Sequence, residues 1–252
     1  MRISIRWRLA FVAVLVSTAI PGLAKVSGDA FKIQVTNSLG TGQLSWGVDQ
    51  MTYDPVYNEW SWNSFSPLDV KSSSGAVLAS LQNASVIIDG DPSVFFGFNV
   101  QAGGVDTTFT ISSALLSFAT INNAVGRASA GFTLTDTNNN GATLTGLYGP
   151  GNAYLAQYNG FAGTQSGTDF TQLVRTFGAG VGQSQSASGN DPLLGYRLVG
   201  GNVFDMSSAV HFKVTAGDLA SGTNFYEVVP EPSSLALLGL GALALFRRRK
   251  SA

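Results

Sequence analysis

Hydrophobic and polar residues alternate with a period of two along short segments of this chain, most clearly at residues 31–36 and 107–112. Such alternation is typical of β-strands with one buried and one solvated face. Gly, Asn, Asp, Ser and Pro interrupt the segments roughly every 8 to 12 residues, which predicts an all-β sandwich or barrel. Further strands are predicted at residues 43–48, 76–81, 85–89, 94–100, 114–120, 129–135, 142–148, 153–157, 170–177, 196–199, 209–214 and 225–229.

No segment between residues 25 and 229 shows a sustained helical stripe. Residues 178–192 are small, polar and rich in glycine, and a segment of this composition cannot pack a core. We therefore predict a long surface loop or hinge there. Too few residues follow it to form a second domain, so the pattern predicts one jelly-roll-like sandwich.

Two threonine-rich alternating segments, residues 131–135 and 142–146, flank an Asn-Gly pair. Asn and Gly tolerate positive φ, so this pattern predicts a β-hairpin. Asp136, Asn138 and Asn140 also match the first half of a calcium loop, in which alternate oxygen ligands converge on the ion. The twelfth position of that loop is Leu147 instead of Glu, and therefore the hairpin is favoured over a weak calcium site.

Four aromatic residues, Trp46, Tyr53, Trp60 and Trp62, lie in one short stretch together with three acidic residues. Exposed rings beside acids would suit stacking on the C–H faces of sugars, which makes these four residues candidate glycan contacts. Packing in the core or at a sheet edge is the favoured alternative, because Trp and Tyr bury large areas.

The chain has 252 residues and no cysteine, which excludes disulfides, thiolate nucleophiles and thiolate metal sites. Cations are concentrated at the two ends of the sequence. Residues 25–229 hold seven cations and 14 acidic residues, a net charge of −7. A nucleic-acid partner is not expected, because phosphate binding needs clustered Lys and Arg on the folded surface.

Few residues have the chemistry of catalysis. The single histidine, His211, lies in an alternating segment whose apolar members would face the core, so its side chain is predicted to face solvent. Asp89 and Asp91 are predicted to lie in a turn and not across a cleft, as a glycosidase pair would. Neither a nucleophile elbow nor a phosphate loop is present. We expect no enzymatic activity and no cofactor, and a secreted hydrolase is the least favoured alternative.

Residues 1–24 have the layout of a secretory signal peptide, with a basic start, an apolar middle and a small-residue end. Gly22 and Ala24 occupy the small −3 and −1 positions, so cleavage after Ala24 is preferred to cleavage after Ala19. An amphipathic first helix is disfavoured, because the polar residues are not spaced along one face.

The sequence from Pro230 onward has three parts. Pro230 and Pro232 fix their own φ and favour extended geometry in the preceding residues, so they predict a stiff strip around Glu231. An apolar helix is predicted next, with Ser233 or Ser234 as its cap. The 14 residues 233–246 would span about 21 Å as a helix. A bilayer core of about 30 Å normally needs about 20 residues, which makes this helix short for a permanent anchor.

Four cations follow the apolar segment: Arg247, Arg248, Arg249 and Lys250. They suit the negative end of a helix dipole and anionic lipid head groups. Under the positive-inside rule this basic end stays cytoplasmic, while the body lies outside.

The three parts together resemble the PEP-CTERM sorting signal, with Pro230, Glu231 and Pro232 as the motif. The resemblance implies export across the inner membrane of a Gram-negative bacterium, followed by recognition and removal of the tail by an exosortase. Proteins with this signal are linked to extracellular polysaccharide and biofilm. Residues 91–100 and 108–112 also look like the β-rich ectodomains that precede such tails, a similarity that names no activity.

We thus predict a signal peptide at residues 1–24, a sandwich ectodomain at 25–229 and a sorting signal at 230–252. The precursor is expected to be held transiently at the inner membrane before it reaches the cell surface or the extracellular matrix. Its predicted partner is an exosortase. The function predicted first is a non-enzymatic surface or matrix protein, and the alternative is a carbohydrate-binding module of the extracellular polysaccharide.

Overall fold

In the computed structural model, which describes residues 24–231, seventeen strands form two antiparallel sheets. The all-β prediction is confirmed, whereas the predicted signal helix and C-terminal helix lie outside the described residues. Two short 3₁₀ helices occur at Val48–Gln50 and Ala162–Thr164. The strands are β1 (Lys25–Asn37), β2 (Gly40–Gly47), β3 (Thr52–Asp54), β4 (Glu59–Ser64), β5 (Leu68–Lys71), β6 (Val77–Asp89), β7 (Ser93–Ala102), β8 (Thr107–Ile121), β9 (Ala124–Thr135), β10 (Ala142–Gly146), β11 (Asn152–Tyr158), β12 (Thr168–Arg175), β13 (Phe177–Ala179), β14 (Ser184–Asp191), β15 (Arg197–Leu198), β16 (Val203–Val214) and β17 (Leu219–Pro230).

The eight-stranded sheet has the order β12-β11-β16-β8-β1-β2, with β10 pairing both β13 and β16. The nine-stranded sheet has the order β14-β9-β17-β7-β6-β4-β3, with β15 added to β9 and β5 added to β6. Neighbours in both sheets are often distant in sequence, as with β1 and β8 or β9 and β17. No helix within residues 24–231 is long and apolar enough to cross a membrane.

The core lies between the sheets and is built by the alternation of inward-facing apolar residues. Phe212 of the eight-stranded sheet lies 5.6 Å, between ring centroids, from both Phe98 and Phe132 of the nine-stranded sheet. Phe109 packs on the same ring at 5.5 Å. Burial of each such side chain contributes about 1.5–3 kcal/mol, so this cluster joins the two sheets into one cooperative unit.

The hairpin predicted between residues 131 and 146 is wrong. β9 belongs to the nine-stranded sheet and β10 to the eight-stranded sheet, so residues 136–141 cross between the sheets. The inward-facing Leu134 and Leu144, both fully buried, therefore lie on opposite sides of the core. Both sides of β9 are already occupied by β14 and β17, which leaves no edge on which β10 could pair.

The long loop predicted at residues 178–192 is also wrong. Phe177–Ala179 is β13, and Ser184–Asp191 is β14, which pairs with β9 along its whole length. An edge strand needs few core side chains, and β14 contributes mainly hydroxyls and amides. Its hydroxyls bond across the strands, with Ser186 Oγ 2.8 Å from Thr133 Oγ1. A polar composition therefore predicted a loop where the backbone ladder forms a strand.

The chain leaves the sandwich at the end of β17, beside the turn between β6 and β7. β17 is a central strand, paired to β9 until Pro230 lies opposite Ala124, and the Glu231 N–H then donates to Asn123 O at 3.2 Å. The Val228 N–H donates to Pro92 O on the side of β7. The Pro230 nitrogen faces that same side, where β7 has already ended, so its missing N–H breaks no ladder bond.

Candidate functional site

The outer face of the nine-stranded sheet carries two rows of small polar residues across β6, β7, β17, β9 and β14. Residues directly opposite one another on neighbouring antiparallel strands share a face, so the pairing registers define these rows. The first row is Asn83, Asn99, Ser221, Thr133 and Ser186. The second row is Ser85, Gly97, Thr223, Gly131 and Ser188.

These rows form the floor of a groove of about 490 Å³, which we call the polar groove. Gly97 and Gly131 have no side chains, and the floor is consequently low at these two positions. Every polar side chain that lines the polar groove is a hydroxyl or an amide, and no charged residue is among the lining residues. The volume lies within the range of about 300–1,000 Å³ that is usual for small-molecule sites.

The hydrogen-bonding capacity of the polar groove is only partly used inside the protein. Thr133 Oγ1 and Ser186 Oγ pair at 2.8 Å. The amide oxygen of Asn99, beneath the groove, is buried and has no hydrogen-bond partner within residues 24–231. Buried polar atoms without partners are rare in folded proteins. The groove therefore offers donors and acceptors that its own structure does not satisfy.

The structure divides the four predicted aromatic residues into two pairs. Trp46 and Trp62 are 4.5 Å apart between ring centroids, and both pack on the buried Phe31, at 5.8 and 5.5 Å. Tyr53 and Trp60 are directly opposed on β3 and β4, with ring centroids 4.8 Å apart. Of these two, Trp60 is half-buried against the core and Tyr53 is 44% exposed.

The aromatic residues do not line the polar groove. Trp60 and Trp62 lie opposite Ile88 and Val86, which are fully buried, so both rings face the interior at the edge of the sheet. Among the four residues, Tyr53 is the most accessible for contact with a glycan.

Asp136 is the first residue of the segment that crosses between the two sheets, residues 136–141. Its carboxylate accepts the backbone N–H groups of Gly182 at 2.7 Å, Gly141 at 2.9 Å, Asn138 at 3.2 Å and Asn140 at 3.4 Å. These bonds, led by that of Gly182, lower the pKa of Asp136 to about 2. The Asp136 oxygens, the first ligands in the calcium interpretation, thus already face N–H donors. Within residues 24–231 no group of three or more His, Asp or Glu side chains could hold a metal ion.

The residues considered for catalysis lie apart from the polar groove. His211 is on the outer side of β16, but it is half-buried and packs edge-on against Tyr148 at 5.6 Å between ring centroids. Burial lowers the pKa of His211. Asp89 and Asp91 flank the turn between β6 and β7 as predicted, and Asp89 Oδ1 accepts the Asp91 N–H at 2.9 Å.

The described part of the sorting motif lies at the end of β17, where Pro230 and Glu231 are both exposed. Pro232, Arg247, Arg248, Arg249 and Lys250 lie outside the described residues. Ala24, the predicted cleavage position, is half-buried. It lies close to Gly90, because a Cβ added to Gly90 would be 3.1 Å from the Ala24 Cβ.

Sequence reasoning missed the polar groove, because its residues come from five strands that are far apart in sequence. The one local signal is glycine inside an alternating strand without a turn. Gly131 lies between Ala130 and Phe132 in β9, where neither a turn nor positive φ explains it.

No curated protein matches the chain. Among solved structures, the chain is similar to TmCBM61 in complex with β-1,4-galactotriose, at 14% identity and a TM-score of 0.29, over 54% of this chain and 71% of that chain. It is also similar to the enzymatically active domain of bacteriophage CBA120 tailspike protein 4, at 12% identity and a TM-score of 0.28, over 79% of this chain and 19% of that chain. A third similarity, to the infectious bursal disease virus Gx strain, has 10% identity and a TM-score of 0.21, over 90% of this chain and 87% of that chain.

None of these three structures is similar enough to indicate a function. The C-terminal residues give a specific match instead. Residues 228–250 match the family model of the PEP-CTERM protein-sorting motif, and the chain therefore carries this sorting motif.

Proposed function

We propose that this chain is the precursor of an exported, non-enzymatic protein of the cell surface or extracellular matrix, which an exosortase recognises at Pro230, Glu231 and Pro232. The match of residues 228–250 to the sorting motif carries this proposal. The apolar residues 235–246 hold the precursor in the inner membrane, with Arg247 to Lys250 on the cytoplasmic side. Removal of the tail then releases the sandwich to the surface or the matrix.

The short spacing between the sorting motif and the apolar segment supports the proposal. Leu235 follows Glu231 by four residues, and an extended chain spans at most about 3.6 Å per residue, so the two are at most about 14 Å apart. An inserted tail would therefore keep the motif close to the membrane surface, where a membrane enzyme acts.

The surroundings of the candidate catalytic residues favour a non-enzymatic role. A general base needs a partner that orients it and a pocket that admits substrate. His211 packs on Tyr148 instead, and the Asp89 carboxylate is used in its own turn.

Intact-mass measurement of protein recovered from the cell surface tests the sorting proposal. Mature wild-type protein should lack Arg247 to Lys250. Glu231→Ala should leave most molecules with the tail, because the side chain that the enzyme reads is exposed and makes no hydrogen bond in the described structure. Asp91→Ala, an exposed acid at the same end of the sandwich, is the control and should be processed normally. A wild-type protein that keeps its tail at the surface would contradict the proposal.

We propose polysaccharide binding as a second candidate function of the sandwich. The observation that favours it is the uncharged polar groove on the nine-stranded sheet. Co-sedimentation of the purified full chain with insoluble polysaccharide is a direct test. Loss of co-sedimentation in Trp60→Ala or Tyr53→Ala would place binding at the aromatic pair instead.

A further inference from the structure

We infer that the polar groove binds a single chain of a neutral hexose polysaccharide. This inference rests on the second candidate function. Charge selects the ligand class. The body of the protein has a net charge of −7, yet no charged side chain lines the groove. An anionic polysaccharide would find no cation there and would be repelled by the body, while a cationic ligand would find no carboxylate. A neutral ligand needs no opposite charge in the groove and is not repelled by the net charge of the body.

The lining chemistry matches that of a sugar. A serine or threonine hydroxyl both donates and accepts hydrogen bonds, and an asparagine amide does the same with two different groups. Sugar hydroxyls likewise need both kinds of partner. Eight such side chains lie in two rows across five strands: Asn83, Asn99, Ser221, Thr133 and Ser186 in the first row, and Ser85, Thr223 and Ser188 in the second. Neighbouring strands are about 4.8 Å apart, so the rows extend for about 19 Å and suit an elongated chain.

Gly131 is the strongest single indication of a ligand. A glycine inside a strand weakens the strand, and such a residue often marks close approach by a ligand or another backbone. The φ of Gly131 is not positive, and a Cβ added to it would meet only Ser188 Cβ, at 3.8 Å. Neither backbone conformation nor packing therefore requires glycine here. Its effect is to keep the floor of the polar groove open.

Asn99, in the first row, has a polar atom that the described part of the protein leaves unpaired. Its amide oxygen is buried beneath the groove and lacks a donor among the residues that the structure describes. Asn83 and Ser221 lie directly opposite it on the two neighbouring strands. Because this oxygen is buried, a sugar hydroxyl would reach it only after the Asn99 side chain turned toward the groove, and Asn99 is therefore a weaker indication than Gly131.

Calorimetric titration of the purified full chain tests the inference, in a detergent without a sugar head group. The probes are cellohexaose, maltohexaose and mannohexaose, with hexagalacturonate as the anionic comparison. At least one neutral hexasaccharide should bind, and hexagalacturonate should not bind at the same concentration. Gly131→Leu should weaken binding by about tenfold or more, because its side chain fills the floor and displaces the ligand. Gly104→Leu is the matched control, since a Cβ there meets nothing within 4 Å, and it should bind as wild type does.

A second pair of variants changes the side-chain volume very little, so a loss of binding in this pair would not be due to misfolding. Thr133→Val removes one groove hydroxyl without changing shape, and Thr36→Val removes the corresponding hydroxyl from a directly opposed pair on the other sheet. The first should weaken binding several-fold, and the second should not. Failure of all three neutral probes overturns the inference, whereas failure of co-sedimentation with insoluble polysaccharide overturns the second candidate function. Normal binding by Gly131→Leu, with loss in Tyr53→Ala, overturns the inference but leaves polysaccharide binding in place. Neither result bears on the sorting proposal, which the mass measurement tests.

Discussion

The outer faces of the two sheets differ although both are built from the same kinds of strand. On the eight-stranded sheet the outward rows include Lys32, Lys213 and His211, and a small buried cluster packs on the same face. That cluster consists of Tyr148, Leu155, Ala162 and Ala209. The two rows of the polar groove on the nine-stranded sheet are uncharged and contain two glycines, although elsewhere on the same face Arg127 pairs with Glu227 and packs on Tyr196 and Phe225. The eight-stranded sheet is thus covered by further packing at this cluster, whereas the nine-stranded sheet is open at the polar groove.

Polar pairs alone do not distinguish the two faces. Thr36 and Thr41 are directly opposed on the eight-stranded sheet, with their hydroxyl oxygens 3.1 Å apart, much like Thr133 and Ser186 at 2.8 Å. Cross-strand hydroxyl pairs of this kind stabilise a sheet by a few tenths of a kcal/mol wherever they occur. The difference lies in the two glycines and in the absence of charged side chains from the two rows of the polar groove.

The largest effect is expected from the core that the two sheets share. Phe212→Ala should reduce the free energy of unfolding by about 3–5 kcal/mol, because it leaves a cavity between Phe98 and Phe132. Urea denaturation of the full chain, followed by tryptophan fluorescence, measures the change. Phe204→Ala, on the same strand but 47% exposed, should cost far less. Separate transitions for the two sheets in the variant would show that they are not one cooperative unit.

A smaller effect is expected at the covered outer face. Leu155 is fully buried in the cluster over the eight-stranded sheet, so Leu155→Ala should cost about 2–4 kcal/mol. Ser221→Ala, at a matching central position on the open face, should change stability by less than about 0.5 kcal/mol. Equal losses for the two variants would show that the two outer faces do not differ as described.

The smallest effect is expected only at acidic pH and concerns residues 136–141, which connect the two sheets. The folded-state pKa of Asp136 is about 2, below its unfolded value of about 3.9. Its contribution to stability is therefore fully present above pH 4 and is lost as the pH falls through about 2. In acid denaturation curves, the difference in unfolding free energy between wild type and Asp136→Asn should become smaller as the pH falls from about 4 to about 2. Asp91→Asn, at an exposed turn, is the control, and the same narrowing there would argue against a special role for Asp136.

The sequence predicted what depends on local alternation. Residues 31–36 and 107–112 are indeed inside β1 and β8, because one buried face imposes period two on a strand. β14 was missed, because the ladder with β9 and not side-chain burial makes it a strand. Asn140 and Gly141 fit a hairpin locally, but strand pairing is a long-range property that a turn sequence does not determine.

The candidate sites were less predictable than the strands. Trp46 and Trp62 meet at Phe31 only because β2 and β4 lie in different sheets that face each other there. The polar groove arises from the registers of five strands, and none of its serines or threonines is unusual within its own segment. By contrast, the sorting motif is contiguous in sequence and was identified directly.

The central position of β17 has a mechanical consequence. The strand is paired with β9 from Leu219 to Pro230 and with β7 from Leu219 to Glu227. A pulling force applied to Pro230 along the axis of β17 would act on both of these pairings. Such a force loads the hydrogen bonds of both ladders together in shear and does not open them one at a time. The proposed precursor, held by this end until its tail is removed, would therefore carry tension into a central strand of the nine-stranded sheet.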